Sequence, residues 1–441
     1  MMAALDYVDS YYRRNRTREL PSEPLEGDIE APVCVIGGGL AGIATALGLA
    51  ERGVDAVVLE ANRVGWGASG RNGGFVSAGF SQSATKLVEQ LGENHAVSLY
   101  ELSREGFNLV RERAIAFASE DTGEGDGAVM QPGSGSLTVS WFDDPDGVQA
   151  YVDVMNNTFG ENFEFWPRER VRESYLTKRY YDGFFKPDTL RFNSLNYALA
   201  TAARAVALGA RVYEQSPVTR VNKTGNDWVV EAATGRVKAD TVVYACSGYI
   251  GGLEPRLARA TLPVATYILL TEPLGDRLES AVRADYAVSD NRFSSNYYRI
   301  VGDRQLLWGG RVSMFHPQGK ALERLMLGDL LSVYPQLEGV KGEVAWGGHM
   351  GYARHKMPQI GRLPNGAWYC QGFGGHGMAT TTMGGEVVAS AIADGDTRYE
   401  LFAPFGLDYV GRPFGPVITQ LAYWGYQLQD ALQVSQLNRK F

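Results

Sequence analysis

Apolar positions along this chain change their period several times, and each change marks an element. Residues 33–36 form a short β-branched run, the pattern of a strand buried on both faces. After Gly37, Gly38 and Gly39, residues 40–52 are rich in Ala and Leu and read as a helix ended by Gly53. Residues 56–59 repeat the buried-strand pattern and close on Glu60. Strand, glycine turn, helix, strand and acid in this order compose the βαβ unit that binds dinucleotides.

Further along, residues 83–119 carry Leu87, Leu91, Leu99, Leu102, Phe107 and Ile115 in a helical pattern. Residues 130–139 turn to Gly, Ser and β-branched side chains and read as a strand. A helix over 194–208 precedes strands at 210–213, 228–232 and 241–245. Strands at 264–271, 297–301 and 305–309 lead to a helix over 321–331. The last third brings a strand at 368–370, a glycine loop at 372–377 and a helix over 380–392. No internal repeat appears. At 441 residues the chain exceeds the size of one growing core, so two interleaved lobes are expected.

Composition narrows the class. Apolar residues make up 45% and charged residues 21%, which fits a globular protein and not a disordered one. The net charge of −8 argues against nucleic-acid or anionic-membrane partners. Cys34, Cys246 and Cys370 are far apart and odd in number, so neither a disulfide framework nor a metal site is indicated. A reducing, cytoplasmic location is expected. The uncharged stretch 31–50 has membrane-spanning length, but its three glycines and the acids before it favour strand, turn and helix.

The candidate chemistry starts at the first turn. Gly37 to Gly42 satisfies GxGxxG: Gly37 permits the turn, Gly39 admits a pyrophosphate, and Gly42 lets helix and strand pack closely. The helix N-terminus adds free N–H groups and a partial positive charge. Glu60, 18 residues past Gly42, can accept hydrogen bonds from both ribose hydroxyls and repels a 2′-phosphate. FAD or NAD is therefore expected rather than NADP. Two more glycine-rich segments, 65–74 and 372–377, favour FAD, because a flavin needs backbone contacts well beyond the first phosphate turn.

These motifs are joined by Tyr11-Tyr12, "LEGDIEAPVCVIGGG", "LEANRVGWGASGRNGG", "NYYRI", "LLWGGR", "WGGHMG", "MPQIGRLP" and "QGFGGHGMATT". In that order they resemble the D-amino-acid-oxidase-like FAD-dependent oxidoreductases, and within them the gamma-glutamylputrescine oxidoreductase branch. The resemblance implies a Rossmann-like α/β FAD-binding domain at 31–85, 190–255 and 340–400. It also implies an interleaved α+β substrate domain, built on a largely antiparallel sheet, at 86–189 and 256–339. An N-terminal arm at 1–30 and a C-terminal extension at 401–441 complete the division.

Implied contacts with FAD follow residue by residue. Gly37, Gly38, Gly39, Leu40, Ala41 and Gly42 hold the pyrophosphate; Glu60, with Ala61 beside it, holds the adenosine ribose. Arg63 and the stretch of Gly67, Ala68, Ser69, Arg71, Asn72, Gly73 and Gly74 flank the phosphates and the flavin ring. Val218 meets the adenine, and Ser247 and Gly248 lie near the nucleotide. Gly374, Gly375, His376, Gly377 and Met378 sit at the ribityl chain and the pyrimidine end. Where some relatives link flavin through Cys or His, this chain has Gly347 and Gly348, or Ala68 and Ser69. Non-covalent FAD is implied.

Departures from the amino-acid oxidases point to the substrate. Glycine-oxidase-like members carry an Arg where Met350 stands, and sarcosine-oxidase-like members a Lys where Ala379 stands. Neither Met nor Ala can grip a carboxylate as an Arg fork does. A primary or secondary amine whose carboxylate is distant or absent is therefore expected. His349 is the first candidate for catalysis and substrate contact, against packing as its other reading. Tyr297 and Tyr298 should face opposite sides of a strand, with Tyr298 favoured for the site. The expected reaction oxidises a C–N bond to an imine, hydrolysed to an aldehyde, with dioxygen as oxidant. A dehydrogenase using another acceptor, a glycine, sarcosine or D-amino-acid oxidase, and a flavin-binding module stand as alternatives.

Overall fold

A computed structural model describes residues 6–119, 125–292, 295–312 and 317–411, with 420, 424, 425 and 429. Two large sheets organise them. The first has the strand order Gln359–Arg362, Trp368–Gln371, Gly235–Tyr244, Gly27–Ile36, Ala56–Leu59 and Arg211–Tyr213. Its central strands are parallel. Val33, Val35, Ala56 and Val58 point into one core, while Cys34, Ile36, Val57 and Leu59 point into another on the opposite face. Burial on both faces is why these strands read as unbroken apolar runs.

Helices Leu40–Glu51, Glu93–Ser119 and Gly377–Ala393 cover the first of those faces. Helices Leu40–Glu51 and Gly377–Ala393 approach closely at Gly385, where a Cβ would stand 2.7 Å from that of Ala44 and 2.8 Å from the Ala41 carbonyl oxygen. The second sheet runs Gly342–Tyr352, Leu262–Thr271, Gln305–Val312, Tyr297–Val301, Ala287–Asp290, Met130–Val139, Gly183–Phe192 and Phe75–Val76. All its neighbours on this path are antiparallel except Ala287–Asp290 against Met130–Val139. Leu322, Met326, Leu330 and Val333 of helix Gly319–Val333 share a core with Tyr298 and Trp308 on one face of this sheet. The other face looks toward the first sheet.

The α/β class and the largely antiparallel second sheet are as expected, but several expected boundaries shift. The first strand spans Gly27–Ile36, because its polar half pairs in parallel with Gly235–Tyr244 from Gly27 onward. The segment expected to be an arm also holds helix Tyr11–Arg14, whose two tyrosines are fully buried. Strand Gly342–Tyr352 belongs to the second sheet, not to the nucleotide-binding sheet. Helix Glu93–Ser119, expected in the substrate lobe, packs Leu99 and Leu102 into the core of the first sheet. Phe402 and Phe405 of the expected extension join that same core. The rest of the extension beyond 411 lies outside the described residues, apart from 420, 424, 425 and 429.

Candidate active site

A cavity of about 610 Å³ lies between the glycine segments and the second sheet. Its wall draws on Gly37 and Gly39 at one end of the chain and on Gly374, Gly375 and Gly377 near the other. At the first turn, Gly37 has φ +111° and donates its N–H to Leu59 O at 2.9 Å. A Cβ on Gly42 would overlap the carbonyl oxygen of Gly37, so glycine is required where helix meets strand. No acid stands in the first helical turn, so the positive helix end faces the cavity with only the Ser69 hydroxyl on the Leu40 N–H and the Glu60 carboxylate on the Gly38 N–H before it.

Glu60 closes the second strand at this end. Its Oε2 accepts the Gly38 N–H and its Oε1 the Asn62 N–H, each at 2.7 Å. Burial pushes its pKa up to about 6, against the lowering effect of those hydrogen bonds. Each carboxylate oxygen keeps a lone pair for another donor.

The segment from Trp66 to Phe75 forms the next stretch of wall. Arg71 donates to the carbonyls of Trp66, Gly67 and Gly347 and lies over the Trp66 ring, 4.4 Å from its centre. Burial lowers its pKa, with Tyr249 opposing. Asn72 ties the segment together: its amide donates to Ala68 O and Ser69 O, and its Oδ1 accepts the Gly74 N–H at 2.9 Å. Trp346 Nε1 reaches Arg71 O at 3.0 Å, and the buried Arg299 holds Gly73 O at 2.8 Å. A Cβ at Gly73 would press on the Tyr297 ring at 2.8 Å.

The second glycine loop brings His376 beside Ser77 and Ala78, whose carbonyl oxygens lie 3.1 Å from its Nε2. Burial, reinforced by the charge of Lys186, pushes the His376 pKa down to about 4. The ring is therefore neutral at physiological pH and organises the loop at the start of helix Gly377–Ala393.

Most of the residues singled out from sequence meet in this cavity. Leu40, Ala41, Ala61, Ala68, Ser69, Val218, Ser247 and Met378 line it, as do His349 and Met350. Gly38, Gly42, Gly74 and Gly248 stand behind the wall and shape it. Arg63 also lies off the wall, paired with the buried Glu214 at 2.7 Å. Tyr298 is the clear correction. It is 1% exposed, stacks on Trp308 with ring centres 4.7 Å apart, and bonds Tyr334 through its hydroxyl at 2.5 Å. Tyr297 lines the cavity instead.

Met350 shares the cavity side of its strand with Trp346 and Gly348, four and two residues back. His349 sits at the rim, its backbone N–H donating to the Tyr249 hydroxyl at 3.2 Å and its ring edge-on to Tyr249 at 5.8 Å. Sequence reasoning missed Lys186, Tyr249, Cys246 and Asp290, which also line the wall. Lys186 belongs to no motif; strand alternation through 183–192 was the available signal. Burial pushes the Cys246 thiol up to about 12, so it is protonated.

A parallel sheet with a glycine turn at its strand end, opposed by an antiparallel sheet across a long cleft, defines a two-lobed nucleotide-dependent oxidoreductase. The chain belongs to the FAD dependent oxidoreductase (DAO) family, whose model matches residues 32–391. Gamma-glutamylputrescine oxidoreductase of Escherichia coli is 32% identical over 97% of this chain and 100% of its own length. Probable oxidoreductase OrdL of Haemophilus influenzae is 30% identical over 96% of this chain and 98% of its own. Among solved structures, glycine oxidase from Geobacillus kaustophilus superposes with a TM-score of 0.72 at 19% identity, covering 87% of this chain and 100% of that one. That likeness is one of fold.

The chain is thus an FAD-dependent oxidoreductase. The cavity suits a flavin on its own evidence: glycine main chain at both ends, a helix N-terminus whose first turn holds no acid, and the Glu60 carboxylate on the wall at the end of the second strand. Among the described residues, no helix is long and apolar enough to cross a membrane.

Proposed function

We propose that this protein oxidises a C–N bond in a small amine, gamma-glutamylputrescine or a related polyamine derivative, with non-covalent FAD and dioxygen. The observation that carries the reading is Met350 on the cavity side of strand Gly342–Tyr352, at the position where the resemblance to glycine-oxidase-like members implies a carboxylate-gripping Arg. A short α-amino acid finds no guanidinium fork there. FAD, once bound, supplies a two-electron acceptor for the C–H bond beside nitrogen.

The chain's own part is binding and desolvation. Ile268, Tyr297, Trp346 and Met350 give the substrate wall an apolar and aromatic surface. Such a surface disfavours the ammonium form of the amine and frees the lone pair that assists hydride loss. The amine becomes an imine, and water then releases the aldehyde. His376, its ring held by two carbonyls, organises the glycine loop. The E. coli relative named for gamma-glutamylputrescine supports the substrate class. Non-covalent attachment is supported by Gly347 and Gly348, and by a Cys246 whose sulfur donates to Ile36 O at 3.2 Å.

The test is an anaerobic titration of the yellow protein with gamma-glutamylated diamines, free diamines, sarcosine, glycine and D-amino acids, followed by peroxide measurement in air. Bleaching by the gamma-glutamylated diamine with one peroxide per turnover is expected. Preferred turnover of glycine or a D-amino acid would overturn the reading. Bleaching without peroxide would replace the oxidase with a dehydrogenase.

A further inference from the structure

The substrate wall carries a cation that has neither a hydrogen bond nor an ion pair among the described residues. Across neighbouring strands Tyr297 stands beside Ser289, Ser289 beside Thr138, and Thr138 beside Phe184. Side chains alternate along a strand, so Lys186, two residues past Phe184, emerges on the same face and lines the cavity. Other charged groups on this wall are engaged. Asp290 is bound by Arg292 at 2.7 Å and by the Asn296 N–H at 3.0 Å. Arg311 is paired with Asp329 at 2.5 Å, and Arg71 is held by three carbonyls.

Lys186 makes no hydrogen bond and no ion pair among the described residues. Its ammonium lies 5.4 Å from the ring centre of Phe184 and 5.6 Å from that of Phe163. It also lines a second, smaller cavity of about 170 Å³ with Glu161, Asp188, Tyr100, Arg104 and Arg111. Glu161 is already paired there with Arg104 at 3.0 Å. His376 faces Lys186 from the glycine loop and is neutral. Burial pulls the Lys186 pKa down to about 8, with Glu161 opposing, so the group is largely cationic at neutral pH. An ammonium held by ring faces alone keeps its hydrogen-bond donors for a ligand, and an anion is the ligand that suits them.

Three inter-strand steps, roughly 14 Å at about 4.8 Å each, separate the strand of Tyr297 from that of Lys186, so a ligand that touches both residues is elongated.

We propose that Lys186 binds a carboxylate at the far end of the amine substrate, away from the carbon that is oxidised. The inference rests on the amine-oxidising reading above and adds the residue that recognises the other end of the molecule. It separates long amines ending in a carboxylate from simple diamines and from short amino acids.

The experiment compares FAD-loaded wild type, Lys186→Met and Lys186→Arg by calorimetric binding of two matched ligands. Both carry the same diamine; one ends in a carboxylate and the other in the carboxamide. Wild type is expected to bind the carboxylate roughly 10- to 100-fold more tightly, the worth of one charged hydrogen bond. Lys186→Met should erase that ratio and Lys186→Arg should keep most of it. All three proteins should bind the free diamine equally. Should Lys186→Met fail to fold, the wild-type ratio must still fall above pH 8 while that of Lys186→Arg stays level. An unchanged ratio in Lys186→Met, or a wild-type ratio near one, overturns the inference even if amines bleach the flavin. A Lys186-dependent ratio without bleaching leaves the subsite standing and removes the oxidase reading.

Discussion

Tyr297 and Tyr298 are adjacent in sequence and lie on opposite faces of one strand. Tyr297 lines the cavity, its ring filling the space that a side chain on Gly309 would need. Tyr298 is stacked on Trp308 behind the sheet, among Tyr175, Tyr180 and Tyr334. The two positions should separate function from stability. Tyr298→Ala is expected to cost about 3–5 kcal/mol and lower the unfolding midpoint, with little change in KM of the protein that remains folded. Tyr297→Ala is expected to lower the midpoint less than Tyr298→Ala does and to lower kcat/KM by roughly tenfold or more, as a loss of about 1.4 kcal/mol already gives. Thermal unfolding and steady-state kinetics on both variants check this, and the reverse pattern would return Tyr298 to the site.

Gly39 and Gly42 make a similar pair at the nucleotide end. A Cβ on Gly42 meets protein, the Gly37 carbonyl, whereas one on Gly39 meets only the Ser69 hydroxyl at 3.2 Å. Gly42→Ala is therefore expected to destabilise the turn in the absence of any ligand. Gly39→Val should fold but fail to retain FAD, because its side chain occupies the pyrophosphate position. Circular dichroism melts of apoprotein and the flavin-to-protein absorbance ratio distinguish the two. A yellow, active Gly39→Val protein would remove the pyrophosphate assignment.

His376 sets a pH dependence of stability. Its pKa is lowered in the fold to about 4 from an ordinary 6.5, so the unfolded chain takes up the proton first on acidification. The stability it contributes is present above pH 6.5 and is lost as pH falls from there toward 4. The loss amounts to roughly 3 kcal/mol when complete. His376→Asn should flatten this part of the curve, read as denaturation midpoints between about pH 4 and 7. A pH–rate profile of the wild type should carry no limb near 6.5 that disappears in the variant.

Met350→Arg would put a guanidinium on the cavity side of the strand, where the amino-acid oxidases grip a carboxylate. Oxidation of long amines is expected to fall about tenfold or more, since a new buried charge opposes an ammonium or amine nearby. Glycine or sarcosine should gain measurable turnover. Retained preference for the long amine would mean that position 350 does not govern specificity.

Part of the site is legible in the order of residues alone. Gly37 to Gly42, Glu60, the 67–74 segment and the 374–378 loop all meet at one cavity, because each is a local motif whose backbone requirement is written into its residues. The glycines near both ends of the chain indicate a long ligand for the same reason. Met350 is legible as a departure from a familiar position. Lys186 is not, since a lone lysine between Phe185 and Pro187 has no motif, and nothing local says that it pairs with Ser136 on a wall shared with Tyr297.

Sequence alone determined the buried strands, the glycine turn, the helix that follows it and the acid at its end. These depend on residue period and backbone freedom within a few residues, which are local properties. Tertiary structure alone decided that Tyr297 and not Tyr298 meets the cavity, and that strand Gly342–Tyr352 joins the second sheet. It also decided that Lys186 lines the same cavity as the glycine segments, with no ion pair among the described residues. Those outcomes turn on which strands pair and in what register, and a shift of one residue exchanges every side chain between wall and core.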